Sequence, residues 1–302
     1  MRKTIWFVLL ACLMAVTQVC AQYSPQPKRK KVAVVLSGGG AKGVAHIGAL
    51  KVIEEAGIPV DIITGTSMGS IVGGLYSIGY RADVLDSIVR AQDWNALLLD
   101  REELSLQRIG EREKQNTYLI STGILLKKNK GLSATGGGII KGKNLHGLFE
   151  RLTSGYNDSI DFNTLPIPFA CVATDMVDFS EHVFHSGVLP QAMRASMAIP
   201  AVFTPVRIDG KVLVDGGMRN NFPADVAREM GADIIIGVAV PDEDKGAEDL
   251  GSTTSILKRI VDYNTKNKYN ENVEITDVYI PVNTHNYSAA SFNDAAIDTL
   301  TS

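Results

Sequence analysis

Val60-Asp61-Ile62-Ile63-Thr64-Gly65-Thr66-Ser67-Met68-Gly69-Ser70-Ile71-Val72-Gly73-Gly74-Leu75-Tyr76 runs from a short apolar strand pattern, through a corner of small residues, into a small-residue helix pattern. The corner, Gly65 to Gly69, matches G-x-S-x-G, in which a serine stands at a sharp strand-to-helix turn. Glycine is required there because a Cβ would clash where the chain doubles back. The turn lifts the serine hydroxyl above the sheet edge, and the helix aims its positive N-terminal end at it. Negative charge develops at that point during acyl transfer, so Ser67 is a candidate nucleophile. Gly, Ser and Thr are also ordinary turn residues, and the rest of the chain has to decide between the two readings.

Upstream, Val32-Ala33-Val34-Val35-Leu36 is a continuous apolar run, as in a strand buried on both faces of a parallel sheet. The glycine loop Ser37-Gly38-Gly39-Gly40-Ala41-Lys42-Gly43 follows it. Val44 to Ala56 then places Val44, Ile47 and Leu50 along one helical face, before Gly57 and Pro59 end the helix. Strand, helix, strand and helix in succession predict an α/β fold with a central, mostly parallel sheet. Downstream, Phe169 to Thr174, Glu181 to His185, Asp233 to Val240 and Asp277 to Val282 carry strand patterns. Val206–Ile208 and Lys211–Val214 flank Asp209-Gly210, a hairpin signal. Helices are expected at Ala192–Ala198 and Pro223–Met230. Residues 81–125 look amphipathic and helical, and 123–142 form a Gly- and Lys-rich surface loop.

Gly38-x-Gly40-x-x-Gly43 also matches the dinucleotide-binding fingerprint between a strand and a helix. A ribose-binding acid belongs at the end of the second strand, whereas Asp61 stands at its start and the Gly65–Gly69 corner occupies its end. A Walker loop is excluded because Lys42 precedes Gly43. The remaining use of such a loop is to aim the N–H groups of Gly38, Gly39 and Gly40 at a developing oxyanion. Neighbouring parallel strands would bring this loop and the serine corner to one crevice. Lys42 either holds the loop or meets a lipid phosphate.

A serine nucleophile needs a base. The chain has five histidines, and only His285 lies downstream of Asp215, as a Ser–Asp–His order requires. His46 sits just inside the first helix, where packing or capping is its expected role. Asp215-Gly216-Gly217 stands at the far end of the strand after the Asp209-Gly210 turn, with Asn220, Asn221 and Pro223 behind it.

Taken in order, SGGGAKG (Ser37–Gly43), GTSMG (Gly65–Gly69) and DGG (Asp215–Gly217) resemble the patatin-like phospholipase family. Arg194-Ala195-Ser196-Met197-Ala198-Ile199-Pro200 and the Asn221/Pro223 sequel to DGG resemble further blocks of it. The resemblance spans roughly Lys31 to Val240. It implies a patatin-like three-layer α/β/α fold and a Ser–Asp dyad, with Ser67 as nucleophile and Asp215 as general base. It also implies an oxyanion loop of Gly38, Gly39 and Gly40, supported by Lys42, Gly43, Gly65, Gly69, Gly216 and Gly217. The family more often carries arginine where Lys42 stands. It hydrolyses acyl esters of phospholipids and related lipids without a metal, so no cofactor is expected. A His285-dependent esterase, a nucleotide-binding module and a catalytically silent lipid-binding protein are the alternatives.

The first residues look like a signal peptide: Arg2 and Lys3, an apolar run from Ile5 to Val16, and a cleavage site after Ala21. Residues 22–31 form a polar, basic linker, and 32–302 the expected catalytic domain. Removing 1–21 moves the net charge from −3 to −5 and leaves Cys171 as the one cysteine, so no internal disulfide can form. An acidic chain is a poor match for nucleic acid. The expected partners are phospholipid or another acyl lipid, with peripheral membrane contact. The expected location is outside the cytoplasm: periplasmic, outer-membrane-associated or secreted.

Overall fold

The computed structural model describes residues 29–100, 138–241, 253–284, 287–289 and 291–301. The chain divides into two compact units, Met1–Lys30 and Lys31–Ser302, and the fold below is that of the second. The expected signal peptide, most of the linker, residues 101–137 of the expected helical and loop stretches, and His285 lie outside the described residues.

The strands are β1 Val32–Leu36, β2 Ile62–Thr66, β3 Gly138–Ile140, β4 Ile160–Asp161, β5 Phe169–Asp175 and β6 Ser180–Phe184, then β7 Ser186–Gly187, β8 Ala201–Phe203, β9 Val206–Ile208, β10 Lys211–Asp215, β11 Ile234–Ala239 and β12 Val278–Pro281. The helices are α1 Ala45–Glu55, α2 Met68–Ser77, α3 Ala82–Arg90, α4 Trp94–Leu98, α5 Lys143–Leu152, α6 Leu189–Ser196, α7 Ala224–Glu229, α8 Thr253–Glu274 and α9 Asp294–Thr301.

Eight strands form the central sheet. Its parallel part runs β12-β11-β1-β2-β5. Every residue of β1 is buried, which explains its unbroken apolar run. Val32, Val34 and Leu36 enter a large core with side chains of α1, α2, α5 and α6. Ala33 and Val35 enter a second core on the other face, with Phe222, Ala224 and Ala227. Helices on both faces of a mostly parallel sheet make a three-layer α/β/α domain.

The register of β5 decides where the site forms. β6 pairs antiparallel with one edge of β5, from Cys171 to Asp175. The other edge is shared: Phe169 to Val172 pair with β2, and Ala173 to Asp175 pair antiparallel with β10. Thr66 lies opposite Val172, and Asp215 lies opposite the next residue, Ala173. β2 and β10 therefore run head to head along one edge, and their carboxyl ends meet. The sequence reading placed Asp215 at a strand end; that strand is antiparallel to the core and reaches the same point from the opposite direction.

Local differences have local causes. Helix Ala192–Ala198 begins earlier, at Leu189, where Pro190 occupies the first turn as proline favours. Helix 81–125 is broken: α3 ends at Arg90 and the Asp93 side chain caps a new helix at Trp94. The Gly-rich stretch is not all loop, since β3 pairs parallel with β8 through Gly138 and Ile140. Asp209 and Gly210 both have positive φ, 48° and 80°, as the predicted hairpin turn demands.

Candidate active site

Ser67 follows β2 and caps α2 with φ 54° and ψ −121°. A non-glycine residue at positive φ is strained, and such strain persists only where its surroundings enforce it. The enforcement here is close packing. A Cβ on Gly69 would fall on the Leu36 carbonyl, and one on Gly65 would fall on the Gly69 carbonyl. The two glycines let the corner sit against the end of β1. Ser67 is 5 % exposed.

Ser196 of α6 holds the corner. The Ser67 N–H donates to Ser196 Oγ at 2.9 Å, and the Ser196 hydroxyl donates to the Val172 carbonyl at 2.6 Å. The backbone of the candidate nucleophile is thus tied through one buried hydroxyl to β5, the strand that also sets Asp215. Ser196 lies in the Arg194–Pro200 block, and its signal in the sequence is a hydroxyl among small apolar residues at a helix end. Ser196→Ala should leave the Ser67 N–H and the Val172 carbonyl unpaired, about 1–3 kcal/mol for each buried group. The expected result is a fall in kcat of about tenfold or more, with KM and the pH profile little changed, read by steady-state kinetics on a soluble ester.

Asp215 is 8 % exposed. Its Oδ1 accepts the Gly217 N–H at 2.7 Å, and the Ser67 side chain stands near enough to favour its charged form. Burial pushes its pKa up to about 6, against the lowering effect of the hydrogen bonds from Ser67 and Gly217. Above that pH it is an ionised, poorly solvated carboxylate beside a hydroxyl, the arrangement of a base matched to its operating pH.

The glycine loop is fixed at its root. Ser37 N–H donates to Val238 O, the Val240 N–H donates to Ser37 Oγ, and Ser37 O accepts His46 Nε2–H at 2.7 Å. His46 is fully buried and burial pushes its pKa down to about 4, so it stands neutral and packs beneath the loop, as expected. Gly38 needs a correction as an oxyanion donor. Its N–H is engaged by the Asn221 carbonyl at 3.1 Å, so the N–H groups available on the loop are those of Gly39 and Gly40. Lys42 is buried and its Nζ donates to Pro241 O at 3.3 Å, so it braces the loop from beneath. Gly43 packs directly on Met68, joining the loop to α2. Asp61, the acid weighed for a ribose, accepts the Val32 N–H at 2.8 Å at the opposite end of the sheet.

The chain after Asp215 binds all three segments together. A Cβ on Gly216 would fall on the Val172 carbonyl, and one on Gly217 would lie 2.8 Å from Asn221 Oδ1. Asn220 O accepts the Thr66 hydroxyl at 2.8 Å, and Pro223 O accepts the Thr64 hydroxyl at 2.9 Å. The Asn220 side chain is anchored in turn: Nδ2 donates to Glu181 and to Asp225, and Oδ1 accepts from Asn272 of α8. Lys268 completes this polar brace by pairing with Asp225. Burial works against the charge on Asp225, but Lys268 and Asn220 outweigh it and hold the carboxyl below its usual range.

The chain resembles known proteins in sequence and in fold. The family model described as patatin-like phospholipase matches residues 34–228. Patatin-like phospholipase domain-containing protein 6 of Mus musculus is 33 % identical over 216 residues, 71 % of this chain and 14 % of the relative. The Caenorhabditis elegans protein ZK370.4, also named as patatin-like, is 35 % identical over 246 residues, 78 % of this chain and 16 % of its own. Lysophospholipase nte1 of Aspergillus fumigatus is 33 % identical over 211 residues, covering 70 % and 12 %. The chain thus spans only about one-seventh of the length of these curated relatives. Among solved structures, VipD from Legionella pneumophila overlays with a TM-score of 0.43 at 17 % identity, covering 91 % of this chain and 66 % of that one. The chain belongs to the patatin-like phospholipase family.

Proposed function

We propose that this protein is a lipid acyl ester hydrolase of the phospholipase A or lysophospholipase type, acting through a Ser67–Asp215 dyad. The observation that carries the reading is a strained, buried serine beside a carboxylate that burial has pushed up to a pKa of about 6. The names of the relatives, one of them a lysophospholipase, support the substrate class.

Asp215 takes the proton from Ser67 Oγ as that oxygen bonds to the ester carbonyl carbon. The carbonyl oxygen becomes an oxyanion facing the N–H groups of Gly39 and Gly40, each such donor contributing about 10²–10³ in rate. The tetrahedral centre collapses, the C–O ester bond breaks, and the departing alcohol takes the proton back from Asp215. Water, deprotonated by Asp215, then attacks the acyl carbon; its bond to Ser67 Oγ breaks, Oγ takes the proton back from Asp215, and the fatty acid leaves. Export through residues 1–21 would place this activity outside the cytoplasm.

The test is direct. A fluorophosphonate should label one serine, found by peptide mass analysis to be Ser67, and labelling should stop the release of fatty acid from lysophospholipid. Labelling elsewhere, or hydrolysis that survives complete labelling of Ser67, would sink the assignment.

A further inference from the structure

Met176, Val177 and Phe179 stand on the turn between β5 and β6, where they are 43 %, 69 % and 39 % exposed. Turns are ordinarily built from Gly, Pro, Asn, Asp and Ser. A single exposed apolar side chain needs no explanation, but a group of three on one protruding turn marks a contact surface.

The turn is held in shape. Met176 N–H donates to the Val212 carbonyl at 2.8 Å. The Asp175 carboxylate accepts the N–H groups of Val177 and Val212 at 3.0 and 3.2 Å, and Ser180 N–H donates to Asp178 at 3.0 Å. Phe179 is kept at φ 60°, a conformation that a bulky residue adopts only under constraint. The Arg219 guanidinium lies 5.5 Å from the centre of its ring. Arg219 follows Asp215-Gly216-Gly217 by two residues, so the apolar turn touches the candidate catalytic loop.

Its position suits that connection. β5 passes Asp215 at Ala173 and continues outward for two more residues, roughly 7 Å at about 3.3 Å per residue, before the turn that carries Val177. The β9–β10 turn ends alongside, since β10 reaches Asp215 from that direction. The charges around the two turns come close to balancing: Arg207, Lys211 and Arg219 against Asp175, Asp178, Asp209 and Glu181. A rigid apolar knob with little net charge around it matches a zwitterionic lipid surface, entered by apolar side chains and not by ionic attraction.

We infer that the β5–β6 turn is the site at which the protein docks on a phospholipid surface, with Met176, Val177 and Phe179 entering the interface and the crevice between Asp215 and the glycine loop facing it. The inference rests on the hydrolase reading above for its choice of a lipid partner. It assigns the turn to docking alone, outside the chemistry.

The experiment uses the chain from Gln22 onward, which retains the whole compact unit Lys31–Ser302. The parent and Val177→Asp are compared for co-sedimentation with phosphatidylcholine vesicles and for hydrolysis of a water-soluble short-chain ester. Val177→Asp should partition onto vesicles about tenfold less or weaker still, with unchanged turnover of the soluble ester and little effect of salt on either protein. Equal partitioning of the two proteins would overturn the inference, as would a parallel fall in soluble-ester turnover. So would a parent that is dimeric by sedimentation velocity and is made monomeric by Val177→Asp, which would assign the turn to a second copy. A parent that binds vesicles through this turn but cleaves no ester would uphold the docking surface and reject the hydrolase reading.

Discussion

Asp215→Asn should abolish ester hydrolysis and at the same time stabilise the fold. Both effects have one origin. The asparagine keeps the shape of the carboxylate and can keep the Gly217 N–H bond, but it cannot accept the serine proton, so the rate should fall by about 10³-fold or more. In the parent protein, burial raises the Asp215 pKa from 3.8 to about 6. That difference corresponds to about 3 kcal/mol of folding free energy withheld at neutral pH. The sign follows from which state binds the proton more tightly. Below about pH 4 the carboxyl is protonated in both folded and unfolded chains, and burial of its charge costs nothing. Between pH 4 and 6 the unfolded chain ionises first, and the parent loses stability as pH rises. Above pH 6 both states are ionised and the full penalty stands. Denaturant titrations should therefore find Asp215→Asn more stable than the parent at pH 7.5, with the gap closing by pH 4. The activity of the parent should rise through pH 6 to a plateau, because the ionised carboxylate is the working form. A variant that is inactive but destabilised at pH 7.5 would mean that Asp215 holds the loop and is not a desolvated base.

Gly69→Ala should be the most damaging single methyl in the domain. The added carbon would meet the Leu36 carbonyl, with the Leu36 carbonyl carbon at 2.6 Å and Ser37 O at 2.7 Å. These are backbone atoms at the root of the glycine loop, pinned by Val238, Val240 and His46, and they cannot swing aside as a side chain would. Helix α2 must move away from β1 instead, taking Ser67 with it. Overpacking of this kind costs about 1–3 kcal/mol and sometimes more, and against pinned backbone the upper end is expected. For a domain of this size that is a drop in Tm of roughly 10 °C, accompanied by loss of activity in whatever remains folded. Gly57→Ala is the control. Gly57 also has a positive φ, 63°, but a Cβ there meets nothing within 4 Å, so only the backbone strain of about 1 kcal/mol should appear. If the two variants melt together, close packing at the corner is not what the glycine provides.

The parts of the site that depend on side-chain size could be read from the sequence. The corner was legible because Gly65 and Gly69 are required where a Cβ would strike backbone, and β1 was legible because burial on both faces demands an unbroken apolar run. The Asp209-Gly210 turn was legible for a similar reason, since few residues accept two positive φ values in succession. What escaped was carried by backbone atoms. The Gly38 N–H looks identical to those of Gly39 and Gly40 in sequence, and only the fold brings the Asn221 carbonyl to it. The carbonyl of Asn220 that receives the Thr66 hydroxyl is equally anonymous, because any residue could supply it. Ser196 lies between these cases: its hydroxyl is a side-chain feature, but its partners are the backbone of two strands far away in the chain.

The shared edge of β5 has a consequence for how the protein comes into being. Thr66 must find Val172, and Asp215 must find Ala173, before serine and aspartate can meet. Both are pairings between distant parts of the chain, the slow class of event in folding because loop closure precedes any gain from contact. A chain that has built its local helices and the β2–α2 corner is still without its candidate base, and a chain that has made only the β5–β10 pairing is still without its candidate nucleophile. The proposed hydrolytic capacity should thus arrive in a single late step, so that the newly made polypeptide stays chemically silent until folding is complete.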